Sequence, residues 1–93
     1  MRNYEFTVIF DADEEKTKKG LADIDTLFKA ENVTITKQDD MGIRQLAYVI
    51  KKNDKGHYYY YELSADPASI HTFEQKFVLN ATILKFLFVN TGK

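Results

Sequence analysis

Lys55–Leu63 reads KGHYYYYEL, four consecutive tyrosines two residues behind a glycine. Aromatic side chains favour strands over helices, and a strand turns successive side chains to opposite faces. Two rings therefore go to each side of a sheet. Counting from Leu63 as a core position, Tyr59 and Tyr61 point inward, while Tyr58, Tyr60 and Glu62 point outward. The run predicts a sheet packed on one face and left uncovered on the other.

The neighbouring sequence supplies the rest of such a sheet. Upstream, NDKG at Asn53 to Gly56 reads as a turn, and IRQLAYVIKK before it reads as a strand, so the two runs make a hairpin. Period-two alternation begins at Val33, Ile35 and Lys37, is interrupted at QDDMG, and places a bulge or kink at Gly42. At the start, Tyr4, Phe6, Val8 and Phe10 alternate with Asn3, Glu5, Thr7 and Ile9, a strand with one apolar face. A helix follows, capped by Asp11 or Asp13, with Leu21, Ile24, Leu27 and Phe28 on one side and Asn32 as its stop. Gly20 weakens it by about 1 kcal/mol relative to alanine. A second helix opens on Asp66 and Pro67, carries Ile70, Phe73 and Phe77, and closes at Asn80. ILKFLFVN is the last strand. The order βαββαβ predicts an α+β, ferredoxin-like domain over residues 1–93, a four-stranded antiparallel sheet with both helices on one face.

Composition narrows the class. Ninety-three residues make one domain, and 44% hydrophobic with 29% charged residues is ordinary for a globular chain. The absence of cysteine, of an export signal and of a membrane-length apolar run points to a cytoplasmic protein without a membrane partner. A net charge of −1 argues against gripping nucleic acid by bulk charge alone. Lys16, Lys18 and Lys19 form one basic cluster and Lys51, Lys52 and Lys55 another, each read most simply as solvated surface.

Several chemistries are excluded. The acids of DADEE are explained by helix capping and the helix dipole rather than by metal or acid–base work. His57 and His71 lie in different elements with no cysteine, so no zinc site is expected. Asn32–Val33–Thr34 and Asn80–Ala81–Thr82 match a glycosylation pattern by coincidence. No phosphate-cradling loop or nucleophile signature is present, and acids after the first strand would repel an anionic substrate. The expectation is a non-enzyme with no cofactor and no small-molecule substrate. Rings on an open sheet of this topology can stack bases or cover a protein interface. KGHYYYY shares a basic–glycine–aromatic opening with the third strand of RNA recognition modules, but Tyr58 stands where that motif needs a small residue.

MRNYE at the start, Gly42–x–Arg44–x–Leu46–Ala47–Tyr48–x–Ile50, Gly56 with its aromatic followers, and NATILKFLFV together resemble the bacterial small-subunit ribosomal proteins of the S-six family. The resemblance covers nearly the whole chain. It implies a structural role in platform assembly, binding the central domain of small-subunit rRNA as a pair with the S-eighteen-family protein. It further implies Arg2 and Lys85 as RNA-backbone contacts, with Arg44 a contact for RNA or partner. Tyr58 and Tyr60 are the candidate interface on the open face. Val78 stands where many members carry a cation, and Val49 replaces a common proline, which would leave that strand more regular. The chain ends at Lys93 without the charged tail of some members. The alternative is a free-standing single-stranded RNA binder using Tyr58 and Tyr60.

Overall fold

A computed structural model describes residues 1–91, and Lys93 lies outside the described residues. The elements are β1 (Arg2–Asp11), α1 (Glu14–Ala30), β2 (Thr34–Ile50), β3 (Asn53–Ala65), α2 (Pro67–Val78) and β4 (Ile83–Asn90). They build one antiparallel sheet in the order β2-β3-β1-β4. The order is the expected one because two strand–helix–strand units interleave.

Alternation decides the core. Tyr4, Phe6, Val8 and Phe10 are buried beneath the helices with Ile24, Phe28, Phe73 and Phe77. Phe6 is its hub, stacked on Phe88 at 4.2 Å and edge-on to Phe28 at 5.8 Å. Asp13 caps α1 by accepting from the Glu15 and Lys16 amides, while Asp11 accepts from the Asp13 amide. The helix ends with Asn32 at φ 57° and the Val33 amide donating to the Phe28 carbonyl, a Schellman closure. Gly20 has a packing reason: a Cβ there would lie 2.5 Å from two ring carbons of Phe10 and 2.7 Å from Thr82 Oγ1. Glycine lets the helix approach β1.

The tyrosine run alternates as predicted, with a correction in degree. Tyr61 is 2% exposed and Tyr59 is half-buried at the core's edge. Tyr58 and Tyr60 face the uncovered side, yet both are half-buried rather than open.

The hairpin differs more. Its turn is Lys51–Lys52, with Ile50 paired to Asn53, so Asn53–Gly56 opens β3 instead of forming the turn. Both lysines take positive φ, 49° and 67°, the geometry of a type I′ turn. The turn composition of Asn53–Gly56 was overruled by strand pairing, which closes on the two-residue turn that strand twist prefers.

β2 also bends. Seventeen residues of straight strand would span about 56 Å, but the longest dimension of the molecule is 36 Å. Gly42, at φ 83°, takes up one irregularity, its amide donating to Asp40 Oδ1 at 2.8 Å. A larger one falls between Gln45 and Ile50, where Leu46–Val49 stand opposite Asp54 alone. Val49 sits in this looped-out segment at 65% exposure, so valine there does not make the strand regular, contrary to expectation.

Candidate nucleic-acid interface

The loop-out carries the hairpin over the end of the uncovered face. Leu46 covers Ile9 of β1 and Leu84 of β4, burying all three in a second small core with Ile50 and Tyr58 at its margin. Gly56 makes room, since a Cβ there would overlap Ile9 Cγ2. Two polar contacts complete the crossing. Lys51 Nζ donates to the Ile83 carbonyl at 2.9 Å, and Lys85 Nζ donates to Tyr48 Oη at 3.1 Å. β2 and β4 are opposite edges of the sheet, yet their side chains meet here.

Charge is divided along the chain. Lys16, Lys18, Lys19, Lys29 and Lys37 each lie within ion-pair distance of a carboxylate. Among the described residues, Arg2, Arg44, Lys51, Lys52, Lys55, Lys76 and Lys85 have no carboxylate within ion-pair distance, and five of these seven, all but Arg2 and Lys76, belong to the hairpin end. Arg44 lies over the Tyr58 ring at 6.0 Å and Lys85 over the Tyr48 ring at 5.6 Å. Each cation is held against an aromatic face but keeps its full charge. Asp54 is the sole acid between residues 41 and 56.

The other half of the face is acidic and apolar. Glu5 stands directly opposite Glu62, and Asp39 opposite Tyr60. Like charges directly opposed on a sheet are destabilising. The Tyr60 hydroxyl donates to Glu62 at 3.0 Å, and its pKa is pushed up to about 12 by burial and then by Glu62 and Glu5. Leu87, opposite Thr7, and Val89, opposite Glu5, are exposed beside these acids.

The structure brings Arg44, Tyr58 and Lys85 to one end of the open face. Arg2 is separate, seven residues along β1 from the Ile9 that pairs with Lys85, about 23 Å away. Val78 is exposed at the end of α2 and lines a cleft of about 260 Å³ with Lys51, Ile83 and Lys85, so a cation does stand near it. Sequence reasoning passed over Tyr48, whose 60% exposure makes it the most open tyrosine of the face. A tyrosine followed by valine reads as ordinary strand, and the loop-out that exposes it leaves no mark in the alternation.

On the helix side, His57 Nε2 lies 2.6 Å from Asp40 Oδ1, and Tyr59 Oη donates to Asp40 Oδ2 at 3.1 Å. The His57 bond is the largest reason that the Asp40 carboxyl is held below its ordinary value. These contacts pin the Gly42 bulge against β3. No group of three or more metal-ligating side chains occurs among the described residues, and no helix is long and apolar enough to cross a membrane.

A four-stranded antiparallel sheet with two helices in the order βαββαβ defines a ferredoxin-like protein of the α+β class. Comparison with known proteins is more specific. The family model described as ribosomal protein S6 matches residues 3–90. The small ribosomal subunit protein bS6 of Treponema denticola is 36% identical over 89 residues, covering 96% of each chain. The crystal structure of 30S ribosomal protein S6 from Thermotoga maritima superposes with a TM-score of 0.84 at 23% identity, covering 96% of this chain and 86% of that one. The C-terminal domain of the MgtC protein from Mycobacterium tuberculosis shares the fold at a TM-score of 0.67 and 13% identity, over 97% of this chain and 87% of that one. Fold alone therefore does not define the role. The chain belongs to the ribosomal protein S6 family, whose members are structural, non-enzymatic proteins of the small ribosomal subunit.

Proposed function

We propose that the chain binds the central domain of small-subunit rRNA, paired with the S18-type ribosomal protein, as the platform of the cytoplasmic ribosome assembles. The observation that carries this reading is the hairpin end, where Arg44, Lys51, Lys52, Lys55 and Lys85 lack carboxylate partners in a chain of net charge −1. Phosphate affinity is local charge, and here a single acid, Asp54, stands among the cations between residues 41 and 56. Arg44 and Lys85 contact the backbone at this end, and Arg2 supplies a separate contact from the start of β1. Tyr58 supports the first site from beneath Arg44. Tyr60, Glu5, Glu62 and Asp39 with exposed Leu87 and Val89 suit a basic protein partner, which would relieve the opposed carboxylates. The free-standing RNA binder finds little support, because Tyr58 is half-buried beside Ile9 and Tyr60 is ringed by acids.

The test is co-sedimentation of the tagged chain with ribosomal particles, followed by RNA binding with and without the S18-type protein. We expect recovery in small subunits and far tighter binding by the pair. Absence from small subunits, or tight binding by the isolated chain alone, would refute the reading.

A further inference from the structure

The β2–β3 turn is made of two residues that its backbone does not favour. Lys51 and Lys52 sit consecutively in the left-handed region, where a Cβ crowds the following carbonyl and Asn-Gly is the preferred pair. The turn is exposed, so Asn-Gly would fit. Packing does not explain the choice at Lys52, whose side chain makes no hydrogen bond or ion pair among the described residues. Lys51 is held by the Ile83 carbonyl, which uses one ammonium N–H and leaves two to donate. The same contact brings it to the cleft that Lys85 lines. Strain kept at an exposed turn calls for a ligand of the side chains. That ligand is anionic, because Lys51 and Lys85 line one cleft with no carboxylate in its wall, and Lys52 follows Lys51 in the exposed turn. A protein partner fits less well, since lysine is depleted from the cores of protein interfaces.

We propose that the Lys51–Lys52 turn, with Lys85 beside it, is a phosphate-binding tip that grips the RNA backbone. The proposal rests on the rRNA-binding reading above and adds to it the contact made by the turn. Lysine meets phosphate as a hydrated point charge, so the tip would hold the strand without reading its sequence.

The double variant Lys51→Asn/Lys52→Gly tests this, because it installs the preferred turn pair while removing both charges. Its binding to the central-domain RNA, in the presence of the S18-type protein, is followed across a potassium chloride series, with Lys51→Arg/Lys52→Arg and Lys85→Ala alongside. Each lost phosphate contact removes about 0.7–0.9 from the slope of log affinity against log salt, the range from single strands to duplex DNA. We expect the Asn-Gly variant to melt at or above the wild-type midpoint with a slope flatter by about two units, and the double arginine variant to keep the slope. An unchanged slope in Asn-Gly, with Lys85→Ala still flattened, would overturn the tip and leave the RNA-binding reading standing. A midpoint well below wild type would overturn it too, by showing that the lysines serve the fold. Failure of the wild-type pair to bind would overturn both.

Discussion

Gly20→Ala separates helix propensity from packing. Alanine improves a helix interior by about 0.8–1.0 kcal/mol over glycine, so an exposed glycine in α1 would be stabilised by the change. The site is not exposed. The new Cβ would stand 2.5 Å from Phe10 Cδ1 and Cε1 and 2.7 Å from Thr82 Oγ1, roughly 1 Å inside ordinary contact. Phe10 is 0% exposed and packs edge-on to Tyr59 at 5.7 Å, so its ring has nowhere to go without displacing the sheet. Overpacking of this kind costs about 1–3 kcal/mol, and a rigid ring puts it near the top. Subtracting the propensity gain leaves a net loss of about 2 kcal/mol. For a domain of this size the thermal midpoint should fall by roughly 8–16 °C, and the urea midpoint should fall with no change in m. Phe10→Leu in the same chain should recover part of the loss, giving a coupling energy of about 1 kcal/mol between the two positions. A Gly20→Ala protein as stable as wild type, or more stable, would refute the reasoning.

Three further outcomes follow from the same geometry. Tyr61→Ala should cost about 3–5 kcal/mol, with Tyr58→Ala and Tyr60→Ala well below it in a denaturation series; the reverse ranking would place the β3 register one residue off. Arg44→Glu should change stability by no more than about 0.5 kcal/mol while lowering incorporation into small subunits, and normal incorporation would mark Arg44 as plain surface. Asp40 is held below its ordinary value of 3.8, by His57 first, so it favours folding above that value and loses this as pH falls below 3.8 through its folded pKa. Asp40→Asn should therefore be less stable than wild type by about 1 kcal/mol at pH 5, discounted for a half-exposed side chain, and the gap should close in acid. A gap that widens on acidification would contradict the assignment.

Element order was legible because each strand and helix carries its own period. Phe6, Phe10, Ile24 and Phe77 all lie where alternation or helical spacing put them. β4 matches its predicted span residue for residue. What sequence missed depends on pairing between distant segments. Nothing in IRQLAYVIKK shows that Leu46 will fold across to Leu84 or that Tyr48 will meet Lys85. The turn was misplaced because Asn53–Gly56 has turn composition, whereas Lys51–Lys52 adopts a turn against its own preference. Of the named site residues, Arg44, Tyr58 and Lys85 gather at one end through strand register, Ile9 pairing with both Tyr58 and Lys85, which no local pattern reveals, and Arg2 stays apart.

The claim that the hairpin end faces RNA is tested most directly by lysine labelling. Small subunits containing this chain, and the free chain, are treated briefly with an amine-reactive acylating reagent, and each lysine is quantified by mass spectrometry. Lys51, Lys52 and Lys85 should be protected in the subunit relative to the free chain. Lys18 and Lys29, exposed on α1 and paired with Glu14 and Asp25, should react equally in both. Protection of Lys18 and Lys29 with the hairpin lysines still reactive would mean that the molecule meets the ribosome with its other side.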